Sequence, residues 1–453
     1  MTTHSDAPDT QQLLDIAGDL VRRARKKGAD AAEAAVLQSR STEVAVRDGN
    51  LEAVEGSESK DAGLRVFFGK RQAGVSFSDL SDDGVELAIE RAIAMAKAAP
   101  EDPWCGLVDE SLVARSKPDL ELYEAPGWSS DALADIAREV ETAARSVDGI
   151  SMTETAFASN GETASAAVST NGVSNTARRS SHGYGVSVIA ARDGVMERDY
   201  SMTSARRRAD LRDKAEIGRE AGDRTVSRLG ATQMPSGSRP VLFDRRVAAR
   251  FIGALENAIA GPAIARGVSF LRDRLGEPVF AEHVSIIDDP HRAWGLGSRP
   301  LDGEGLANQR RAIIDKGVLT TWLLNSPSAR QLGLEPNGYA TRSLGGSPGV
   351  STTNIHIEPG TRSRGDMIAA IDDGLVVTEM FSPSLNPNTG DWSVGVSGFA
   401  ISGGEIAGPV SEITVAGNLL DIFKRIEPAD DLVFWSSANS PSLLVDSLSV
   451  GGA

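Results

Sequence analysis

The sequence predicts an α+β protein: an N-terminal α/β region of helix–strands–helix units, the order occurring twice, then a β-rich C-terminal domain of barrel or sandwich type. Three observations predict it. Helical periodicity and alternating runs succeed one another twice before residue 233. Asp-Gly and Asn-Gly dipeptides separate the alternating runs, as tight turns between strands require. Beyond residue 233 short apolar runs punctuated by Gly, Pro and Asn predominate, which favours a barrel or sandwich over a βαβ fold.

Taken in order, Gln11–Lys27 places Leu13, Leu14, Ile16, Ala17, Leu20, Val21 and Ala24 at three- and four-residue spacings, a helical stripe that Gly28 ends. Ala32–Leu37 reads as extended. Thr42–Arg47 alternates, Asp48-Gly49 turns the chain, and Leu51–Val54 returns it. Leu64–Phe68 and Gly74–Phe77 read as a second hairpin through Gly69-Lys70. A helix is expected over Asp82–Ala98, started by Ser81 and stopped before Pro100. Pro103–Trp128, with Pro118 and Pro126, is a connector. The second unit opens with a helix over Ser130–Ser146, whose Leu133, Ile136, Ala137, Val140 and Ala144 share one face. Strands are expected over Ser151–Ser159, Glu162–Ser169 and Tyr184–Ala191, with turns at Asn160-Gly161, Asn171-Gly172 and Asp193-Gly194. A charged helix over Leu211–Arg228 closes the unit. The order recurs without the residues recurring, which suggests a duplication. Pro235-Ser236-Gly237 marks a boundary, after which Val241–Phe243 reads as a strand and Arg246–Ala260 as a helix. The expected organisation is a disordered tail over 1–10, α+β segments over 11–105 and 106–232, and a β-rich domain over 233–453.

Composition narrows the function. The 453 residues suffice for two or three domains at roughly 150 residues each. A net charge of −16 repels phosphate backbones and acidic lipids, so neither nucleic acid nor membrane is expected as a partner. No apolar run reaches the roughly 20 residues of a membrane helix. The polar start, Met1–Thr10, lacks a secretory pattern, and Cys105 is the single cysteine, so no intramolecular disulfide forms; both fit a cytoplasmic protein. Cys105 itself reads as a small, partly buried side chain.

A zinc peptidase needs imidazoles sharing one helical face and a carboxylate to work on the bound water. The five histidines, His4, His182, His283, His291 and His356, show no such pairing. Glu282-His283 and Asp288-Asp289-Pro290-His291 gather two imidazoles and three carboxylates, so His283 and His291 would share a metal if the intervening segment folded back. The plainer reading is a strand over Val284–Ile287 ended by an Asp-Asp-Pro-His turn. Asp302 and Glu304, in Asp302-Gly303-Glu304-Gly305, offer two carboxylates for acid–base work or for fixing a loop. Gly345-Gly346 lacks the Lys-Ser or Lys-Thr of a phosphate loop. Arg206-Arg207-Arg208 reads as a solvated helix flank in so acidic a chain.

One longer pattern is more specific. It comprises Asn388-Thr389-Gly390-Asp391-Trp392-Ser393, Ser397-Gly398-Phe399-Ala400-Ile401, Gly403-Gly404-Glu405-Ile406 and Pro409 to Leu419. With Gly28-Ala29-Asp30, Val46-Arg47-Asp48-Gly49, Gly63-Leu64-Arg65-Val66, Glu101-Asp102-Pro103, Ser169-Thr170-Asn171-Gly172, Asp302 to Gly305 and Val450-Gly451-Gly452, it resembles the TldD/PmbA (modulator of DNA gyrase) family. Within that family the chain is more similar to the PmbA/TldE branch than to the TldD branch. The resemblance implies a two-subunit cytoplasmic metallopeptidase in which a TldD-type partner holds the zinc. TldD-type chains carry His-Glu-x-x-x-His early in the C-terminal domain and a cysteine ligand near the C-terminus. Counted back from Gly267, those histidines would fall near Ile252 and Asn257 and the glutamate near Gly253, while Leu432–Ser442 contains no cysteine.

The resemblance therefore implies a non-catalytic subunit with neither catalytic residue nor cofactor of its own, forming a heterodimer with the TldD-type chain and a homodimer in isolation. Its substrates would be unfolded peptides, in peptide maturation and antitoxin turnover. Asp302, Glu304, Asn388, Asp391, Trp392 and Phe399 are candidates for chamber walls or interface. Two further expectations stand beside this one: an independent homodimeric metallopeptidase using His283 and His291, and a non-enzymatic peptide-binding scaffold.

Overall fold

The computed structural model describes residues 9–452. The N-terminal part runs α1 (Thr10–Lys26), β1 (Ala31–Arg47), β2 (Asn50–Phe68), β3 (Arg71–Phe77), α2 (Asp82–Ala98), α3 (Ser130–Arg145), β4 (Ile150–Ser169), β5 (Ser174–Arg192), β6 (Val195–Ala205) and α4 (Lys214–Ser227). Helix, three strands and helix thus occur twice. All six strands form one antiparallel sheet in the order β3-β2-β1-β4-β5-β6, so β1 and β4 meet at its centre. Of the tail expected over 1–10, residues 1–8 lie outside the described residues, as does His4; Thr10 already belongs to α1.

Alternation along the strands assigns the two faces of this sheet. Ala34 and Val36 of β1, Leu64 and Val66 of β2 and Ala164 and Ala166 of β4 pack on α1 and α2 through Leu13, Leu20 and Ile89. Val44, Val46, Ala156, Ala158, Val186 and Val188 pack on α3 and α4 through Leu133, Val140 and Ile217. Each fully buried aliphatic side chain stabilises the layer by roughly 1.5–3 kcal/mol. The other face of β1, β4 and β5 meets the C-terminal domain.

The strands are longer than the local patterns predict. Ala32–Leu37 and Thr42–Arg47 belong to one strand, as do Leu51–Val54 and Leu64–Phe68. Asn160-Gly161, expected as a turn, lies inside β4. Ladders to β1 on one side and β5 on the other hold the backbone extended there, and the Asn160 amide donates to the Trp128 carbonyl at 2.9 Å. The turn at Asp48-Gly49 takes the expected left-handed conformation, φ 50° and 76°, and so does Asp193-Gly194, φ 53° and 82°. The buried Glu141 of α3 accepts from the amides of Asp48 and Gly49 at 2.7 and 2.8 Å, which pins the first turn to the helical layer.

The C-terminal domain runs β7 (Gly237–Phe243), α5 (Arg245–Ala248), α6 (Arg250–Ala258), α7 (Gly261–Ala265), β8 (Ile286–Asp288), β9 (Arg311–Asp315), β10 (Val318–Leu319), α8 (Ser326–Leu332), β11 (Ala340–Thr341), β12 (Gly349–Val350), β13 (Ile355–Ile357), α9 (Arg364–Ala369), β14 (Asp373–Leu385), β15 (Asp391–Ser402), β16 (Glu405–Asn418), α10 (Leu419–Phe423), β17 (Ile426–Pro428), β18 (Ala438–Asn439) and β19 (Leu443–Gly451). Strands β7, β14, β15, β16 and β19 close into a five-stranded barrel, because β19 pairs with both β7 and β16. The barrel thereby leaves no open edge among its own strands. Phe243, Val377, Val394, Val396, Val415 and Val445 share its core with Phe251, Ile252 and Leu255 of α6. A second sheet, β10-β9-β8-β13-β18, carries the loops that face the N-terminal part.

Two buried ionic hubs join the parts. Glu33 of β1, directly opposite Arg65 of β2, accepts from Arg65 Nε at 2.6 Å and pairs with Arg342 of the C-terminal domain at 2.9 Å. Burial raises the pKa of the Glu33 carboxyl, but Arg342 and Arg65 outweigh it and hold the group below the usual range. Asp199 of β6 pairs with Arg246 of α5 at 2.5 Å and with Arg228 at 3.5 Å, and Arg228 reaches Glu379 of β14 at 2.5 Å.

Candidate functional site

A cleft of about 660 Å³ lies between the sheet and the C-terminal loops. Its sheet side presents Ala35 and Leu37 of β1, Ser165 and Ala167 of β4, and Asn175, Ala177 and Arg179 of β5. These side chains are mostly small; β1 and β4 are paired on both sides here, which makes that part of the wall stiff, while β5 over 174–181 pairs only with β4. Its loop side consists of 296–303, 341–344 and 351–353.

The wall at 341–344 is held by backbone contact. A Cβ on Gly63 would come within 2.2 Å of the Gly345 nitrogen, and one on Gly74 within 1.5 Å of the Gly345 oxygen. Only glycine lets the loop lie flat on β2 and β3. The Glu33–Arg342 pair fixes the same loop from the next residue row.

Asp302-Gly303-Glu304-Gly305 forms the floor. Asp302 lines the cleft, but its carboxylate accepts from the amides of Glu304, Leu306 and Ala340, so its oxygens organise the loop. Burial pushes its pKa upward. Glu304 turns away beneath α8, where it accepts from the Ser326 amide at 2.8 Å, and its second oxygen is buried without a hydrogen-bond partner. Burial, with Asp302 nearby, raises its pKa to about 6. Asp288, whose Oδ1 accepts from the amide and hydroxyl of Thr353 at 2.7 Å each, is likewise raised to about 6 by burial.

The remaining expected residues are elsewhere. Asn388 is exposed in the turn between β14 and β15, and Asp391 is exposed at the start of β15, where it accepts from Thr389 and Asn418 and has a lowered pKa for that reason. Trp392 points into the barrel against Phe243 and Phe251, with ring centroids 6.4 and 5.6 Å away. Phe399 packs on the opposite, outer face of β15 against the cluster of Leu242, Ile368 and Val376. Trp392 and Phe399 are seven residues apart on β15, so the alternation of the strand places them on opposite faces; the extra residues at the irregularities lie in β14 and β16. Of the six candidates only Asp302 lines the cleft.

His283 and His291 are not gathered for a metal. His283 Nε2 lies 3.1 Å from the Ile426 carbonyl, and His291 Nε2 lies 2.8 Å from Asn308 Oδ1. Among the described residues no group of three or more His, Cys, Asp or Glu side chains is arranged to hold a metal ion. The described residues therefore do not fit a zinc site of the usual composition.

Sequence reasoning missed the arginines. Arg179 and Arg299 line the cleft, and Arg206 stands behind Arg179. Arg206 is turned inward and donates to the carbonyls of Ser180 and Leu296 at 2.9 and 2.6 Å. The expected solvated flank therefore applies to Arg207 and Arg208 alone, which pair with Asp210 and Glu124. Moreover, the segment is a loop with a short 3-10 turn rather than the flank of a helix, since α4 starts only at Lys214. One signal was available: β5 carries Arg179 two residues after Ala177, on the face that looks away from the helices.

This two-domain architecture, a six-stranded sheet docked on a closed barrel across a cleft, defines a recognisable class of peptidase-related chains. Family models described as PmbA/TldA metallopeptidase match residues 32–96 (domain 1), 123–229 (central domain) and 236–452 (C-terminal domain). A protein of Escherichia coli O157:H7 named Metalloprotease PmbA is 34% identical over 425 residues, covering 93% of this chain and 92% of that one. A homologue of it in Haemophilus influenzae is 33% identical, covering 98% and 96%. The chain belongs to the PmbA/TldD metallopeptidase family. Among solved structures, a modulator of DNA gyrase from Bacteroides thetaiotaomicron superposes with a TM-score of 0.89 at 25% identity, covering 97% of this chain and 98% of that one. TldE from Thermococcus kodakarensis superposes with a TM-score of 0.83 at 21% identity over 96% and 100%, a likeness of fold. No helix among the described residues is long and apolar enough to cross a membrane.

Proposed function

We propose that this chain is a non-catalytic PmbA/TldE-type subunit of a cytoplasmic zinc metallopeptidase, that a TldD-type partner supplies the metal, and that the pair trims or degrades unfolded peptides. The observation that carries this reading is the chemistry of α6. Counted back from Gly267, the positions at which TldD-type chains carry their histidines and glutamate fall near Ile252, Asn257 and Gly253. Ile252 is fully buried in the barrel core, and Asn257 is exposed on the last turn of the helix. A hydrocarbon, an amide and a hydrogen atom supply none of the imidazole and carboxylate donors of a catalytic zinc site. The helix works instead as packing, and this chain's contribution to the complex is shape: the cleft and its walls.

Co-expression with a TldD-type chain tests it. The two chains are expected to purify together, with zinc following the partner; this chain purified by itself is expected to form homodimers free of stoichiometric zinc. Stoichiometric zinc together with peptide cleavage by this chain alone would overturn the reading. The relatives' name, metalloprotease, favours that second outcome, a peptidase acting without a partner, and the same measurement decides between the two.

A further inference from the structure

Among the described residues, the half-buried arginines at the cleft, Arg179, Arg206 and Arg299, have no carboxylate within ion-pair distance, although most other arginines of the chain are so paired. Arg179 is the least committed. Its one protein contact is a marginal 3.5 Å approach of Nη2 to the Ser298 carbonyl, and its Nε has no partner. Arg299 gives one nitrogen to the carbonyls of Ser351 and Thr352, and its Nε also has no partner. The Nε of Arg206 is bare too. Burying a guanidinium without an anion is expensive, and its bare N–H groups add to the cost.

Burial and mutual repulsion both register on these groups. Burial, then Arg299, lowers the pKa of Arg179. Burial, then Arg179, pushes Arg206 down to about 10. Asp288 and Asp302 attract Arg299 and offset part of the effect of its burial, but neither is within ion-pair distance of it. Asp302 is occupied by three backbone amides and Asp288 by Thr353, while Glu33 is committed to Arg65 and Arg342. Three guanidiniums therefore face two carboxylates whose hydrogen bonds go to the backbone and to Thr353. Arg179 and Arg299 line an open volume of about 660 Å³, and no carboxylate of the described residues is within ion-pair distance of either guanidinium. A planar oxyanion matches the donors of such a group.

We infer that the cleft is an oxyanion site in which Arg179 and Arg299 bind a carboxylate or a comparable anion, with Arg206 behind them. The terminal carboxylate of a peptide lying along the cleft is the source the geometry favours, and in that respect the inference rests on the peptide-handling reading above. Small residues along β1 and β4 leave room for a backbone leading to the arginines. Arg179 is a binding residue here, not a catalytic one.

Titration calorimetry on this chain alone tests the inference, so failure of the partner hypothesis does not affect the result. The probes are a hexapeptide with a free C-terminal carboxylate, the same peptide as its C-terminal amide, and inorganic phosphate. The acid is expected to bind about ten-fold or more tightly than the amide, the discrimination of a charge-assisted hydrogen bond. Arg179→Gln is expected to abolish that preference without lowering Tm, because it removes one marginal contact and one half-buried charge without an ion-pair partner. Arg207→Gln, on the surface, is the control and should change nothing. If phosphate binds while acid and amide peptides are indistinguishable, the site stands and its anion is a free one. Competition of phosphate with the acid peptide on the unmodified chain supports the site without any variant. Absence of both acid and phosphate binding, or binding unchanged in a folded Arg179→Gln chain, overturns it.

Discussion

Single side chains at the cleft divide into those that stabilise and those that cost. Glu33 belongs to the first kind. Glu33→Gln leaves Arg65 and Arg342 buried without their anion, and removing one partner of a buried pair costs about 3–5 kcal/mol. The sign with pH follows from its lowered pKa: the contribution is present above the unfolded value and is lost as pH falls through the folded one. Denaturant unfolding at neutral pH should show the loss, and an unchanged midpoint would contradict it. Glu304 belongs to the second kind. Its carboxyl is raised to about 6, against roughly 4.3 for an unfolded glutamate. Between these values the folded chain holds more protons than the unfolded chain, so stability falls as pH rises through the window. Glu304→Gln keeps an oxygen for the Ser326 amide and removes the titration. Relative to the wild type, the variant is expected to gain about 2 kcal/mol between pH 4 and pH 7, read from paired urea titrations. A pH-independent difference would show that Glu304 does not titrate in that range.

At the scale of elements, the contact of α3 with α4 offers a sharp case. A Cβ on Gly218 would lie 2.4 Å from the Val140 carbonyl oxygen, and one on Gly222 2.6 Å from the Val147 side chain. In an exposed helix, glycine to alanine gains about 1 kcal/mol in propensity. Here backbone stands in the way, and overpacking costs typically about 1–3 kcal/mol. Gly218→Ala is therefore expected to lower stability; a rise in Tm would mean that α4 sits further from α3 than described. The sequence marked this helix only as charged, which left its tight contact with α3 unseen. Other elements were legible. Asp48-Gly49 and Asp193-Gly194 read correctly because a two-residue hairpin needs left-handed backbone, which those residues supply. Asn160-Gly161 misled because the same dipeptide tolerates extended backbone when strands pair on both sides. The barrel was legible as a class from its short apolar runs, but its closure was not, since the pairing of β19 with β16 joins residues far apart in sequence.

Across the whole molecule, the candidate site was the least legible part. Asp302 stood out because two carboxylates flanking glycines are conspicuous, yet Trp392 and Phe399 went to opposite faces of one strand, as two residues seven apart must when the whole of Asp391–Ser402 is one regular strand. The arginines went unread because their meaning depends on which face of β5 meets the second domain. That docking rests in part on Asp199, buried between Arg246 and Arg228. Asp199→Asn is expected to loosen the two parts, so that urea unfolding by far-ultraviolet dichroism and by tryptophan fluorescence separate into two transitions; coincident curves with an unchanged midpoint would deny the clamp its role. The division of labour between this chain and a metal-bearing relative is tested most directly by peptide cleavage. Unfolded peptide is incubated with this chain, with a TldD-type chain, and with both at equal concentration. Cleavage that requires both is the predicted result; cleavage by the TldD-type chain undiminished without this one, or cleavage by this chain alone, would contradict it.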